Sequence, residues 1–389
     1  MKPRVLFLSP QPFFQWRGSP IRVNYNLQAL SDLGCEIDLV TLPFGEDVDI
    51  PGMNLHRVKG FKRVRDIPIG PSFWKLIFDF KIYLLARKLL RQHDYAVVHG
   101  VEDAGFIGYF LARRAKASLI YEKHSDPASY RKKGLRNLVM WAYSKVETFT
   151  VRRARAVITT GDGLARAVRK LSPNTPCTHI QDIPSSLTEA DPDRVVELRE
   201  ELKQTPNECL VTYVGSFAVY QGIELLMEAV PETLRLNPNV RFLIIGGSDD
   251  EITTLKERLS SPQVTFLGKI NPEELPCYLT ASDILLSPRI SGHNTPLKLL
   301  DYLKAGSAIV ATDLEANRLL LDQQTAVFAA PAAPDFARAI ADLSLDPVRR
   351  QHLAGQGRHL IDSTYNYRTY KTQLGEVYSP LLSLSTGSR

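Results

Sequence analysis

Short apolar runs alternate along this chain with longer stretches whose apolar residues recur at helical spacing. Such alternation predicts stacked strand-helix-strand units and parallel sheets. RVLFLS opens the pattern at Arg4 and is followed by a helix running through Leu27, Leu30 and Leu33 to Gly34. Further strands are expected in DYAVVHG, in LIYE before Lys123 and His124, and in AVIT, which brings the first series to the IQDIPSSL loop near Ile183. A second series starts near Cys209 with CLVTYVGS and continues through FLII, VTFL, ILLS and SAIVAT. Between the two lies TEADPDRVVELREELKQTPNE, charged and helix-prone, which marks a domain connection. After Phe328 two surface helices are expected, then a last helix over about Tyr365 to Leu382 and a disordered tail, SLSTGSR.

The most informative segment is SPRISGHNTPLKLLDYLKAGSAIVATD, from Ser287 to Asp313. A strand stops at Ser287-Pro288, and a polar loop feeds a helix whose apolar positions are Leu297, Leu300 and Leu303. Thr295 suits the N-cap and Pro296 the first helical position. Free N–H groups and the positive end of the helix dipole would face an anion there, with Lys298 adding a full charge. Asp301 lies one turn on, where a carboxylate can accept hydrogen bonds from a ribose diol. Gly306 reads as the C-cap before a buried strand, so the segment sits at the carboxyl end of a sheet, where α/β folds bind ligands.

On these residues the chain resembles the retaining nucleotide-sugar glycosyltransferases of family four. LLDYLKAG followed by SAIVA places Asp301 at that family's glutamate, and His293 stands where the family has an acidic residue. The resemblance covers nearly the whole chain and implies the GT-B fold: α/β, two Rossmann-like domains with parallel sheets facing across a cleft. The boundaries it implies are an acceptor-side domain over 1–188, with a C-terminal helix over 365–389 packing back on it, and a nucleotide-sugar domain over 189–364.

The same resemblance implies the site. Tyr213-Val214-Gly215-Ser216 and Tyr220-Gln221-Gly222 correspond to the loop where the family offers an Arg and a Lys to the diphosphate; Ser216 and Gln221 stand there instead. Arg289 is the candidate replacement, beside Lys298 on the same loop. The donor set implied is Gly18, Ser216, Gln221, Lys269, Ile270, His293, Asn294, Thr295, Pro296, Leu297 and Asp301, with the backbone around Lys269 and Ile270 meeting the base. The reactive-centre residue implied is His124; Lys298 and Arg289 join it as the candidate cations for the diphosphate, Arg289 without a match in the family's motif.

Retaining enzymes of this fold let the leaving phosphate deprotonate the acceptor on the same face of the sugar, so the protein's task is to stabilise charge on the diphosphate. The expectation is therefore a metal-independent hexosyl- or glycosyltransferase. It needs no cofactor and uses a UDP or GDP sugar as donor substrate, with a saccharide or lipid-linked glycan as acceptor. Two alternatives stay open: a non-catalytic partner subunit on the GT-B scaffold, and a nucleotide-sugar epimerase.

Composition agrees with a two-domain globular enzyme: 389 residues, 44% hydrophobic and 23% charged. The four cysteines, Cys35, Cys177, Cys209 and Cys277, lack metal or disulfide spacing, so reduced thiols and a cytoplasmic location are expected. The apolar run at the start is too short for a signal peptide, and no stretch approaches a membrane span. Charge is split. Residues 1–185 hold 29 Lys and Arg against 16 Asp and Glu, and the rest 19 against 26, so +13 and −7 give the net +6. The basic excess clusters at Arg57, Lys59, Lys62, Arg63 and Arg65, then at Lys75, Lys81, Arg87, Lys88 and Arg91 among Trp74, Phe78, Phe80 and Tyr83, then at Arg131, Lys132, Lys133 and Arg136. Basic helices with aromatic neighbours suit an anionic bilayer surface, which predicts peripheral attachment at the inner membrane face. No nucleic-acid recognition motif is present.

Overall fold

The computed structural model describes residues 2–61, 64, 73–125, 135–292 and 295–386. The chain divides into two compact units, Met1–Asp182 with Tyr367–Arg389, and Ile183–Asn366.

The first unit contains β1 (Arg4–Ser9), α1 (Gly18–Asp32), β2 (Glu36–Thr41), β3 (Met53–Arg57), α2 (Phe73–Leu89), β4 (Val97–Val101) and α3 (Ala104–Ala115). It continues with β5 (Ser118–Lys123), α4 (Leu135–Arg153), β6 (Ala156–Thr159), α5 (Asp162–Leu171) and β7 (Cys177–His179). Its seven strands lie in the order β3-β2-β1-β4-β5-β6-β7. Every pairing is parallel, with Phe7 level with Leu39 on one side and with His99 on the other. Chain order reverses between β1 and β4, so the loops leaving those strands part and open a crevice at their carboxyl ends. The strands read as continuous apolar runs because helices cover both faces of a parallel sheet. Leu6, Leu8, Val40, Val98 and Leu119 pack with Phe78 and Ile82 of α2 and Leu111 of α3.

The second unit contains α6 (Pro192–Leu202), β8 (Cys209–Val214), α7 (Ile223–Leu236), β9 (Val240–Ile245), α8 (Asp249–Arg258), β10 (Val264–Leu267), α9 (Leu275–Ala281) and β11 (Ile284–Ser287). Then come α10 (Lys298–Ala305), β12 (Ala308–Thr312), α11 (Glu315–Arg318), β13 (Val327–Ala329), α12 (Ala333–Ser344) and α13 (Pro347–Ser363). The six strands are again all parallel, in the order β10-β9-β8-β11-β12-β13, and the reversal falls between β8 and β11. Two layers of side chains cover this sheet. Val211, Tyr213, Phe242 and Leu286 lie on one side with Leu226 and Phe336, and Leu285, Ile309 and Ala311 lie on the other with Leu299, Leu300 and Leu303.

The last helix, α14 (Tyr367–Thr386), belongs to the first unit. Tyr370 and Tyr378 are buried there, and their hydroxyls reach Asn26 of α1 at 2.7 Å and His99 of β4 at 2.6 Å. The helix continues through Ser383–Thr386, where a disordered tail was expected; 387–389 lie outside the described residues. α10 also differs from expectation. It begins at Lys298 rather than Pro296, and Thr295 is not its cap. The preceding turn is closed by the tighter bonds Leu299 N–H to Pro296 O and Leu300 N–H to Leu297 O, each 3.0 Å, so Leu297 flanks the helix.

Candidate functional site

In the second unit the site grows from the strand-order reversal. β11 is apolar and fully buried up to Ser287, and Pro288, lacking an N–H, ends its ladder. Beside it β8 ends at Val214, and the chain turns through Gly215 and Ser216 into a 3₁₀ turn, Val219–Gln221, and the start of α7. These loops touch through their backbones. Gly222 has φ +77°, and a Cβ there would lie 1.8 Å from Pro288 O; a Cβ on Gly246 would lie 2.0 Å from Gly215 O. Only glycine allows such approach.

Arg289 and Lys298 converge on this crevice. The Arg289 guanidinium is buried, donates from Nε to Ser291 O at 2.7 Å, and sits 5.5 Å from the centre of the Tyr220 ring. The Lys298 ammonium donates to Val214 O at 3.3 Å and stands 4.6 Å from the centre of the Tyr213 ring. Burial, with the nearby Arg289 charge, pushes Lys298 down to about 7; burial also lowers Arg289. Like charges held close in a partly dry crevice create a strongly positive spot, suited to an anion.

Asp301 lies on the same helix, one turn after Lys298. Its carboxylate accepts the Ser185 N–H at 2.6 Å and the Ser185 hydroxyl at 2.8 Å, and burial pushes it up to about 6. Lys304 extends this contact by donating to Ser186 O at 3.0 Å. Ser216 is exposed, its carbonyl accepting the Tyr213 hydroxyl at 2.8 Å, while Gln221 Oε1 is buried and has no partner among the described residues. Thr295 is exposed, Pro296 buried and Leu297 half-buried. Lys269 and Ile270 follow β10, two places from β8 in the sheet, and Ile270 packs with Val214 against Leu210, Leu243 and Ile245. His293 and Asn294 lie outside the described residues.

In the first unit, Gly18 is the opening residue of α1, and His124 follows β5. The His124 backbone N–H donates to Glu102 Oε1 at 2.7 Å, and its Nδ1 lies 2.8 Å from Ser19 Oγ. Glu102 holds φ +51°, a left-handed conformation uncommon for a side chain of its size, at the carboxyl end of β4. Glu102, Ser19, Arg22, His99 and Glu122 were not singled out from sequence. Their signal was a buried strand carrying Glu122 and Lys123 side by side, since ionisable groups rarely enter a sheet unpaired.

All four cysteines are free. Among the described residues no group of three or more His, Cys, Asp or Glu is arranged to hold a metal ion, and no helix is long and apolar enough to cross a membrane.

Two family models match this chain. "Glycosyl transferase 4-like domain" covers residues 17–180, and "Glycosyl transferases group 1" covers 208–346. The chain belongs to glycosyltransferase family four. This glycosyltransferase is 26% identical over 314 residues to an alpha-D-kanosaminyltransferase of Streptomyces kanamyceticus, covering 75% of this chain and 79% of that protein. It is 27% identical over 166 residues to a phosphatidyl-myo-inositol mannosyltransferase of Mycobacterium tuberculosis, covering 41% and 43% of the two chains. A sucrose-phosphate synthase structure from Thermosynechococcus elongatus superposes with a TM-score of 0.77 at 20% identity, covering 98% of this enzyme and all of that chain. The two parallel-sheet units are thus the GT-B pair of Rossmann-like domains.

Proposed function

We propose that the enzyme takes a sugar from a UDP or GDP donor held by the second unit and transfers it, with retention of configuration, to a saccharide or lipid-linked acceptor bound by the first. The observation that carries this reading is the convergence of Arg289 and Lys298 at the β8/β11 reversal, with Asp301 one turn beyond.

In the proposed step, the bond between the sugar's anomeric carbon and the β-phosphate oxygen breaks, and negative charge grows on that oxygen. Lys298 and Arg289 hydrogen-bond the growing charge; charge-assisted bonds of this kind are shorter and stronger than neutral ones. The acceptor hydroxyl attacks the same face, and its proton passes to the departing phosphate oxygen, so no nucleophilic side chain is needed. The two side-chain cations supply the charge for which other transferases recruit a metal ion. Asp301 receives the ribose diol, the backbone near Lys269 and Ile270 the base, and His124 the donor sugar. Gly18, Ser216, Gln221, His293, Asn294, Thr295, Pro296 and Leu297 complete the donor set.

Attachment to an anionic membrane is part of this proposal. α2 is apolar on two opposite faces: Phe78, Ile82, Ala86 and Leu89 enter the core, while Phe73, Leu76, Phe80 and Leu84 are exposed on the other side. Arg87, Lys88 and, just beyond, Arg91 place positive charge at its end. The lipid acceptor named for the mannosyltransferase relative supports this. Of the basic residues expected to contribute, Lys62, Arg63, Arg65, Arg131, Lys132 and Lys133 lie outside the described residues.

A thermal-shift screen with UDP, GDP, ADP, CMP and their sugars tests the donor assignment. One nucleotide series should raise the melting temperature with concentration. No response to any of them at millimolar concentration would overturn it.

A further inference from the structure

His124 is tied to a buried hydrogen-bonded network centred on Glu122 of β5. Glu122 is fully buried, and its two oxygens meet three hydrogen-bond donors and the edge of the His124 ring. Oε1 accepts from Arg22 Nε at 2.5 Å and stands 3.2 Å from His124 Nε2; Oε2 accepts from Asn26 Nδ2 at 2.7 Å and lies 2.9 Å from His99 Nε2. A carboxylate offers about four lone-pair sites; three are taken by hydrogen bonds, and His124 Nε2 is the nitrogen that faces the remaining one. Burial alone would push Glu122 up, but Arg22 and the histidines outweigh it and hold the group well below the usual carboxylate range. An outer ring fixes these donors. Arg22 also donates to Ile180 O at 2.9 Å and to Asp182 at 2.8 Å, Asn26 accepts from the Tyr370 hydroxyl, and His99 Nδ1 lies 2.6 Å from the Tyr378 hydroxyl.

An ionised carboxylate is an acceptor only, so an imidazole nitrogen turned toward it must carry the proton. His99 follows that rule, with Nε2 toward Glu122 and Nδ1 left to accept from Tyr378. His124 presents the same nitrogen to the same carboxylate.

We infer that Glu122 is a positioning residue that fixes His124 as its Nε2–H tautomer, so that Nδ1 offers a lone pair to a hydroxyl of the donor sugar. The inference deepens the reading of His124 as the sugar contact and rests on it. In the structure Ser19 Oγ, in the first turn of α1, lies 2.8 Å from that nitrogen, where its hydroxyl is the donor to Nδ1. A sugar hydroxyl would take over the Ser19 bond or share it. The group recognised there must donate a hydrogen bond, so a sugar with hydrogen or fluorine in place of that hydroxyl would be discriminated against.

The test is the histidine side-chain ¹H–¹⁵N correlation spectrum of the full chain labelled with ¹⁵N-histidine, with His124 assigned by its loss in His124→Ala. The wild type should show His124 as the Nε2–H form. Glu122→Gln and the milder Glu122→Asp, which keeps a charge beside Arg22 but withdraws it from the ring, should both give averaged tautomer shifts. An Nδ1–H form in the wild type, or an unchanged His124 signal in whichever variant folds, overturns the inference. These spectra need no ligand, so their outcome is separate from that of the nucleotide screen. Added UDP-glucose or GDP-mannose should then move the His124 Nδ1 resonance if the sugar meets it, whereas nucleotide-induced stabilisation with no change at Nδ1 would overturn the proposed sugar contact.

Discussion

One serine occupies both oxygens of Asp301: Ser185 donates its backbone N–H at 2.6 Å and its hydroxyl at 2.8 Å. Under the proposed donor site a ribose diol would compete for the same lone pairs, so the segment that begins the second unit would guard that site. Ser185→Ala removes one competitor, worth about 0.5–1.5 kcal/mol for a single hydrogen bond. Under the proposed donor assignment, UDP or GDP should therefore bind about 2- to 10-fold more tightly to Ser185→Ala and more weakly to Asp301→Ala. Titration calorimetry reads both; weaker binding by Ser185→Ala would refute the competition.

Asp301 also sets a pH dependence of stability. Its folded-state value is raised by burial from 3.8 to about 6, so between those values the folded chain holds a proton that the unfolded chain has released. Stability of the second unit should fall as pH rises from 4 to 6 and level off above. The side chain is half-buried by area, which reduces the effect to about 1–2 kcal/mol from the ~3 that a two-unit shift alone would give. Urea titrations across this range should show the decline, and Asp301→Asn should flatten it.

Lys298 works in the opposite sense on binding. Burial and Arg289 hold its ammonium at about 7, so raising the pH from 6 to 8 discharges it in the free protein, while a bound diphosphate would favour the charged form. Affinity for UDP-glucose or GDP-mannose should drop as pH passes 7, approaching tenfold per pH unit above it. The sugar diphosphate is the right probe because its own phosphates do not titrate in that range. Lys298→Met should bind weakly and without this slope; a retained slope would assign the titration elsewhere.

The parallel sheets and the α10–β12 turn were legible in the sequence because fully buried strands leave apolar runs and Gly306, at φ +68°, leaves a clear C-cap. The start of α10 was not, since Thr295-Pro296 has the composition of a cap whether or not the chain spends those residues on a tighter turn. Ser185 was invisible for a different reason. It lies 116 residues from Asp301, and no local pattern marks a serine that will donate to a distant carboxylate. Glu122 was passed over because charge in a strand usually signals its end. Here Arg22, Asn26 and His99, from two other elements, make its burial tolerable.

Gly222 provides a test of how the cations are held. An added Cβ would strike Pro288 O, next to Arg289, in a backbone conformation that side chains avoid. Gly222→Ala should cost about 2–4 kcal/mol and weaken nucleotide binding, because Pro288 and Arg289 must move to make room. Gly306→Ala is the control. Its φ is also positive, but nothing lies within 4 Å of the new methyl group. It should lose about 1 kcal/mol and leave nucleotide affinity intact. Equal binding losses in the two variants would mean that general destabilisation, rather than the Pro288 contact, is responsible.

The outward face of α2 yields the sharpest prediction about the acceptor's environment. Phe73, Leu76 and Phe80 are 72%, 70% and 61% exposed, and with Leu84 they follow one another at helical spacing opposite the core residues. Leu76→Glu with Phe80→Glu should leave thermal stability nearly unchanged, because neither side chain packs in the core. On vesicles containing anionic phospholipid the same pair should lower binding by at least about tenfold, since each loses apolar insertion and adds charge repelled by the surface. Wild-type binding should weaken with salt through Arg87, Lys88 and Arg91, and be weaker on purely zwitterionic vesicles. Equal sedimentation of variant and wild type with anionic vesicles would remove α2 from the membrane contact. Loss of stability in the variant would instead show that the exposed stripe is covered by protein in solution.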